Sequence, residues 1–285
     1  MTSYRSGFVA SLDGTSIGYR WIGHGAGIVL VQGAMGTAYN YDQLARALAD
    51  AFTVYLPDRR GRGMSPLAYT PVHTIREDIE DIDGIVAQSG ARLIFGLSSG
   101  AIIALAASES LAAIDKAVIY EPPFYPQGIS HPLIRRFNRE VEQDRLAAAL
   151  VTASRIVGLG PRIFPLVPRQ ILELGTKRAL DRETREGSGS YAPLRELIPA
   201  MRYDFKVVSD MDGKVESFAG FSKDVLLLGG DRSPYYLKAA LARLEKVIPA
   251  AARVEVRGVN HSGPWNADRG GNPELIAHEL IKFFE

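Results

Sequence analysis

The chain has 285 residues, 46% of them hydrophobic and 23% charged, which suits one well-buried core or a core carrying an inserted subdomain. Its 33 basic and 32 acidic side chains leave a formal net charge of +1, so no electrostatic footprint points to nucleic acid or an anionic membrane. No cysteine is present, which excludes disulfides, thiolate catalysis and cysteine-ligated metals.

The first residues show no apolar stretch after a basic start, and no later run is long enough to span a bilayer. A cytoplasmic protein is the expectation. Gly7 to Leu12 and Ser16 to Ile22 read as strands joined at Asp13-Gly14, a strong hairpin signal. Gly27 to Gln32 is a continuous apolar run, as expected of a strand buried on both faces. Tyr41 to Ala51 has helical spacing. Strands are then expected at Phe52 to Leu56, Arg92 to Leu97 and Lys116 to Tyr120, and helices at Ile75 to Gln88 and Ser99 to Ser110. Alternating strands and helices imply a parallel sheet with right-handed crossovers and helices on both faces.

The alternation stops at Pro122-Pro123. From Phe124 to about Phe221 only helical patterns appear: one long stretch from His131 to Ser154, then Pro168 to Gly175 and Thr176 to Glu186. It resumes with a strand at Asp224 to Leu228, a helix at Tyr235 to Val247, a strand at Arg253 to Val259 and a helix at Pro273 to Phe284. The expected organisation is a core of residues 1–122 and 222–285 interrupted by a helical cap of residues 123–221.

Gly96-Leu97-Ser98-Ser99-Gly100 sits directly after an apolar strand and directly before a helix. A serine on so sharp a turn is held in a strained backbone conformation with its hydroxyl exposed, and flanking glycines avoid collisions with strand and helix. Ser98 is the candidate nucleophile. A serine hydroxyl needs a base. Of the five histidines, His261 follows a strand in a loop at the sheet edge where parallel-sheet sites form. The base in turn needs an acid to orient it. Asp231 follows the strand before His261 and is favoured; Glu121, after the strand ending at Tyr120, is the alternative. Backbone N–H groups of Ser99 and of Ala34, in the loop after the third strand, are the expected oxyanion donors.

Together these pieces resemble the α/β-hydrolase superfamily: Gln32-Gly33 after the third strand, Asp58-Arg59-Arg60-Gly61-Arg62-Gly63-Met64-Ser65 after the fourth, Gly96 to Gly100 after the fifth, and Asp231 and His261 after the last two. Gln32 stands where many members have histidine, and Ser99 is smaller than the residue often found beside the nucleophile. The resemblance implies a mostly parallel sheet of about eight strands, and it implies that the arginine-rich turn is structural.

The expected substrate is a small, mostly apolar organic molecule. Gln32, Met35, Phe124, Tyr125 and Trp265 are its candidate contacts, and Phe164, Met201, Tyr203 and Phe205 further candidates from the helical region. The favoured reaction is hydrolysis of an ester, thioester or lactone through an acyl-enzyme on Ser98. The superfamily also implies alternatives: carbon–carbon bond cleavage, haloperoxidase-like chemistry, a lyase or cyclase, or a ligand receptor without catalysis. No cofactor or metal is expected, no histidine pair having zinc-ligand spacing. No nucleic-acid or membrane partner is expected, and the oligomeric state is left open.

Overall fold

The structure, a computed structural model, describes residues 3–158 and 166–285. Eight strands make one sheet: β1 (Arg5–Ala10), β2 (Ser16–Gly23), β3 (Ala26–Val31), β4 (Phe52–Pro57), β5 (Leu93–Leu97), β6 (Lys116–Tyr120), β7 (Asp224–Gly230) and β8 (Ala251–Val256). Their spatial order is β1-β2-β4-β3-β5-β6-β7-β8. The tight Asp13-Gly14 turn makes β1 antiparallel to β2, and β2 is antiparallel to β4. Every later pair is parallel, as helical crossovers require.

Helices cover both faces. On one side, α1 (Asp42–Leu48) and α9 (Pro273–Phe284) bury Leu44, Leu48, Ile276 and Leu280. On the other, α2 (Ile75–Ser89), α3 (Ser99–Ser110) and α8 (Tyr235–Val247) bury Ile82, Ile85, Ile102, Leu241 and Leu244. Strand β5 runs through the middle. Leu93, Phe95 and Leu97 enter the first core and Ile94 the second, which is why the run is apolar without alternation.

Four helices lie between β6 and β7: α4 (His131–Glu142), α5 (Leu146–Val157), α6 (Arg169–Glu186) and α7 (Leu194–Asp210). Two expectations are corrected here. The stretch from His131 to Ser154 is two helices, because Asp144 takes a left-handed conformation (φ 52°) that ends α4 and turns the chain into α5. Aspartate tolerates that region better than most residues. Conversely, the stretches before and after Gly175 are one helix. Gly175 weakens a helix by only ~1 kcal/mol, and α6 carries good helix formers on both sides of it. The outer strands also shift: β1 begins at Arg5 and β8 ends at Val256. No helix among the described residues is long and apolar enough to cross a membrane.

Candidate active site

Ser98 joins β5 to α3 with φ 58° and ψ −125°. The turn is feasible only because its neighbours lack side chains. A Cβ on Gly96 would lie 2.7 Å from Ala101 Cα, and one on Gly100 would lie 2.5 Å from Val31 O. Ser98 N–H donates to Tyr120 O (2.9 Å), and Ser98 O accepts from Ala101 N–H (2.9 Å). The backbone is thus fastened to β6 on one side and to the helix on the other, leaving the side chain half-buried at the sheet edge.

His261 lies in the loop after β8, its side chain 16% exposed, and its Nδ1 is 2.7 Å from Glu121 Oε2. The expectation that Asp231 would be its partner is corrected on this point. Asp231 is exposed, and its Oδ1 accepts from Gly258 N–H (2.7 Å) in the turn that follows β8. Glu121 is fully buried, and its Oε1 accepts from Gly230 N–H (2.7 Å). The paired glycines at the end of β7 make its room: a Cβ on Gly229 would lie 3.0 Å from Glu121 Oε1. The sequence signal was an acid wedged between a buried strand and Pro122-Pro123, opposite a Gly-Gly pair.

Ala34 and Ser99 both border the cavity in front of Ser98, and among the described residues neither backbone N–H is engaged by a protein acceptor. Gly33 lies close beneath: a Cβ there would meet Ser98 Cβ at 2.9 Å. Met35 follows with φ 62° and Glu121 has φ 49°. Ser98, Met35 and Glu121 are three of the four non-glycine residues with positive φ among the described residues. Strain of this kind persists only where the surroundings enforce it, and it gathers at functional sites.

The cavity has a volume of about 480 Å³. Ser98, His261, Ala34 and Met35 line it from the core, and Tyr125, Leu150, Met201, Phe205 and Val208 from the inserted segment. Trp265 also lines it, and Tyr125 stacks on Tyr236 with ring centroids 5.0 Å apart. Burial, more than any neighbour, pushes the Tyr125 phenol up to about 12, so it stays a neutral donor. Three expected contacts are corrected. Gln32 is wholly buried behind the loop, its amide donating to Pro57 O. Phe124 packs on Phe218, and Tyr203 on Tyr69 and His73. Phe164 lies outside the described residues.

Sequence reading missed Asp204. This α7 residue is 2% exposed and lines the cavity, bonded to Arg59, Arg62 and Ser99. Burial pushes its pKa up, but the Arg62 and Arg59 guanidinium groups win and hold the carboxyl below its usual range. The signal was three arginines among the five residues that follow an apolar strand. Buried guanidinium groups require buried acids, which Asp78, Asp81 and Asp204 supply.

The profile of the alpha/beta hydrolase family matches residues 28–277. Among solved structures, an alpha/beta hydrolase from Sphaerobacter thermophilus is 28% identical with a TM-score of 0.77, covering 98% of this chain and 100% of that one. An enol-lactonase from Burkholderia xenovorans superposes with a TM-score of 0.70 at 18% identity, over 98% of this chain and 99% of its own. An esterase from Thermogutta terrifontis gives a TM-score of 0.69 at 17% identity, over 98% of each chain.

Proposed function

Because the chain belongs to the alpha/beta hydrolase family, we propose that it is a serine hydrolase that cleaves an ester, thioester or lactone of a small, mostly apolar molecule. The observation that carries this reading is the His261–Glu121 hydrogen bond: a histidine held by a fully buried carboxylate lines the same cavity as a serine on a strained, glycine-flanked turn. An enol-lactonase and an esterase among the structural neighbours favour the same bond class.

In this mechanism Ser98 Oγ attacks the carbonyl carbon while His261 Nε2 takes its proton. Glu121 holds the Nδ1 proton, fixes the tautomer and stabilises the imidazolium. Negative charge collects on the carbonyl oxygen, which accepts from the Ala34 and Ser99 N–H groups. The N-terminus of α3 points at the same place and favours that charge. Collapse breaks the acyl–oxygen or acyl–sulfur bond, and His261 returns its proton to the leaving group. Water, deprotonated by His261, then attacks the acyl-enzyme and frees Ser98. Among the described residues no hydrogen bond yet joins Ser98 Oγ to His261, a contact that commonly tightens only when substrate binds.

Residues 123–221 serve as the cap. Tyr125, Leu150, Met201, Phe205 and Val208 of this segment line the cavity with Ser98 and would exclude water from the acyl group, which strengthens each electrostatic contact there. Arg232 lines the cavity too and forms no ion pair among the described residues.

The test is labelling with a fluorophosphonate probe together with turnover on a panel of p-nitrophenyl esters and lactones. The parent protein should label and turn over, and Ser98→Ala and His261→Ala should do neither. An unlabelled parent contradicts the reading. Labelling without turnover of any ester or lactone contradicts hydrolysis of this bond class and favours a ligand receptor or a non-hydrolytic reaction.

A further inference from the structure

Arg62 touches the back of one peptide that the proposed mechanism uses as an oxyanion donor, and Asp204 touches the side chain of the residue that carries the other donor. Arg62 Nη1 donates to Gly33 O (3.2 Å) and Arg59 Nη1 to Gln32 O (3.2 Å). Gly33 C=O and Ala34 N–H belong to one peptide unit. In a trans peptide these groups point in opposite directions, so a donor fixed on the carbonyl aims the N–H the other way, toward the cavity. On the second donor, the Ser99 hydroxyl donates to Asp204 Oδ1 (2.6 Å) and accepts from Arg59 Nη1 (3.2 Å). Asp204 ties both halves together, its Oδ1 taking Arg59 Nη1 (2.6 Å) and its Oδ2 taking Arg62 Nη2 (2.8 Å). Arg59, Arg62, Ser99 and Asp204 are each at most 5% exposed, so water does not compete for these bonds.

We propose that Asp204, through Arg62 and Ser99, is a positioning residue for the oxyanion hole, so that the hole is aligned only when helix α7 of the cap is docked. The inference rests on the serine-hydrolase reading above. Two further contacts dock α7 on the same arginine-rich turn: Glu196 Oε1 accepts from Gly63 N–H (2.6 Å), and Ala200 O accepts from Arg62 Nη2 (3.4 Å). The turn thereby reads the position of the cap and transmits it to the catalytic peptides. Carbonyl hydrogen bonding also polarises the Gly33–Ala34 peptide and strengthens its N–H as a donor.

The experiment compares the parent with Asp204→Asn, Ser99→Ala and the double variant. Each is measured for fluorophosphonate labelling rate, kcat and KM on p-nitrophenyl butyrate, and thermal melting. Donors displaced by a fraction of an ångström act in the transition state, so kcat and labelling rate should fall together. The expected drop is roughly 10–100-fold for Asp204→Asn, with KM within about twofold of the parent. Ser99→Ala, which leaves both ion pairs of Asp204 in place, should melt like the parent yet lose several-fold in both rates. The double variant should be little slower than Asp204→Asn alone. If Asp204→Asn does not fold, Ser99→Ala decides. Parental kcat and labelling rate in a folded Ser99→Ala, or in a folded Asp204→Asn, would overturn the positioning role while leaving the serine-hydrolase reading intact. An unlabelled parent would overturn both.

Discussion

A carboxylate shut away from water must find hydrogen-bond partners inside the protein, and Glu121 finds them in His261 and Gly230 N–H. Asp231 is in the opposite situation. It is exposed, and its carboxylate accepts from Gly258 N–H in a surface turn. These environments predict opposite consequences for neutralising each acid. Glu121→Gln should cut kcat by roughly 10³–10⁴-fold, because His261 loses the group that fixes its tautomer and balances its charge. Asp231→Asn should keep kcat within a few-fold of the parent and shift stability by less than about 0.5 kcal/mol, as surface changes usually do. Steady-state kinetics on the same ester checks both, and a reversed ranking would return the acid's role to Asp231. At this scale the sequence was uneven. Ser98 was legible because its glycines are needed locally, and His261 because it follows a strand at the right edge. The choice between two acids was not legible. Both follow parallel strands, and only the three-dimensional path of the His261 loop, held by Tyr120 Oη donating to Asn260 O (2.7 Å), decides which one it meets.

Among the elements, α7 has the most consequential fit. Its Asp204 lies against Arg59 and Arg62, while α2 offers Asp78 to Arg59 and to His73. Burial raises the pKa of Asp204 and of Asp78, but the arginines beside them outweigh it, and both carboxyls sit below the ordinary value of 3.8. An acid whose folded value is depressed contributes stability that is present above its unfolded value and disappears as pH falls through the folded one. Attachment of α7 should therefore be insensitive to these two groups from neutral pH down to about 4 and weaken below it. Melting temperature followed against pH should show a steep acid limb in the parent and a shallower one in Asp204→Asn. Identical limbs would contradict the assignment. The sequence showed the arginines and helix α2, but neither helix α7 nor its pairing with them. Asp204 lies 145 residues from Arg59, and no local pattern encodes a contact of that span. The same limit explains the helix boundaries. A left-handed Asp144 and a tolerated Gly175 are decided by what surrounds them, which periodicity does not report.

Over the whole molecule, the legible part and the illegible part divide along the chain. The alternating half imposes its own topology: apolar runs must be covered on both faces, crossovers must be right-handed, and a parallel sheet follows. That reasoning reached the eight-stranded, mostly parallel sheet, and helices lie between β6 and β7. It did not reach the cavity wall. Of the expected substrate contacts, Met35, Tyr125 and Trp265 line the cavity, whereas Gln32 and Phe124 do not, because an aromatic or amide side chain reads alike whether it faces a cavity or a core. The fold thus presents a mostly apolar chamber of about 480 Å³ with a strained serine at its floor. Its proposed chemistry requires a covalent acyl-enzyme on that serine. Acid-quenching the protein within milliseconds of mixing with p-nitrophenyl butyrate, followed by peptide mapping by mass spectrometry, tests this directly. A butyryl group is predicted on the peptide containing Ser98, and it should be absent from Ser98→Ala. Turnover without any acylated peptide, or a butyryl group on another residue whose replacement abolishes turnover, would contradict the account.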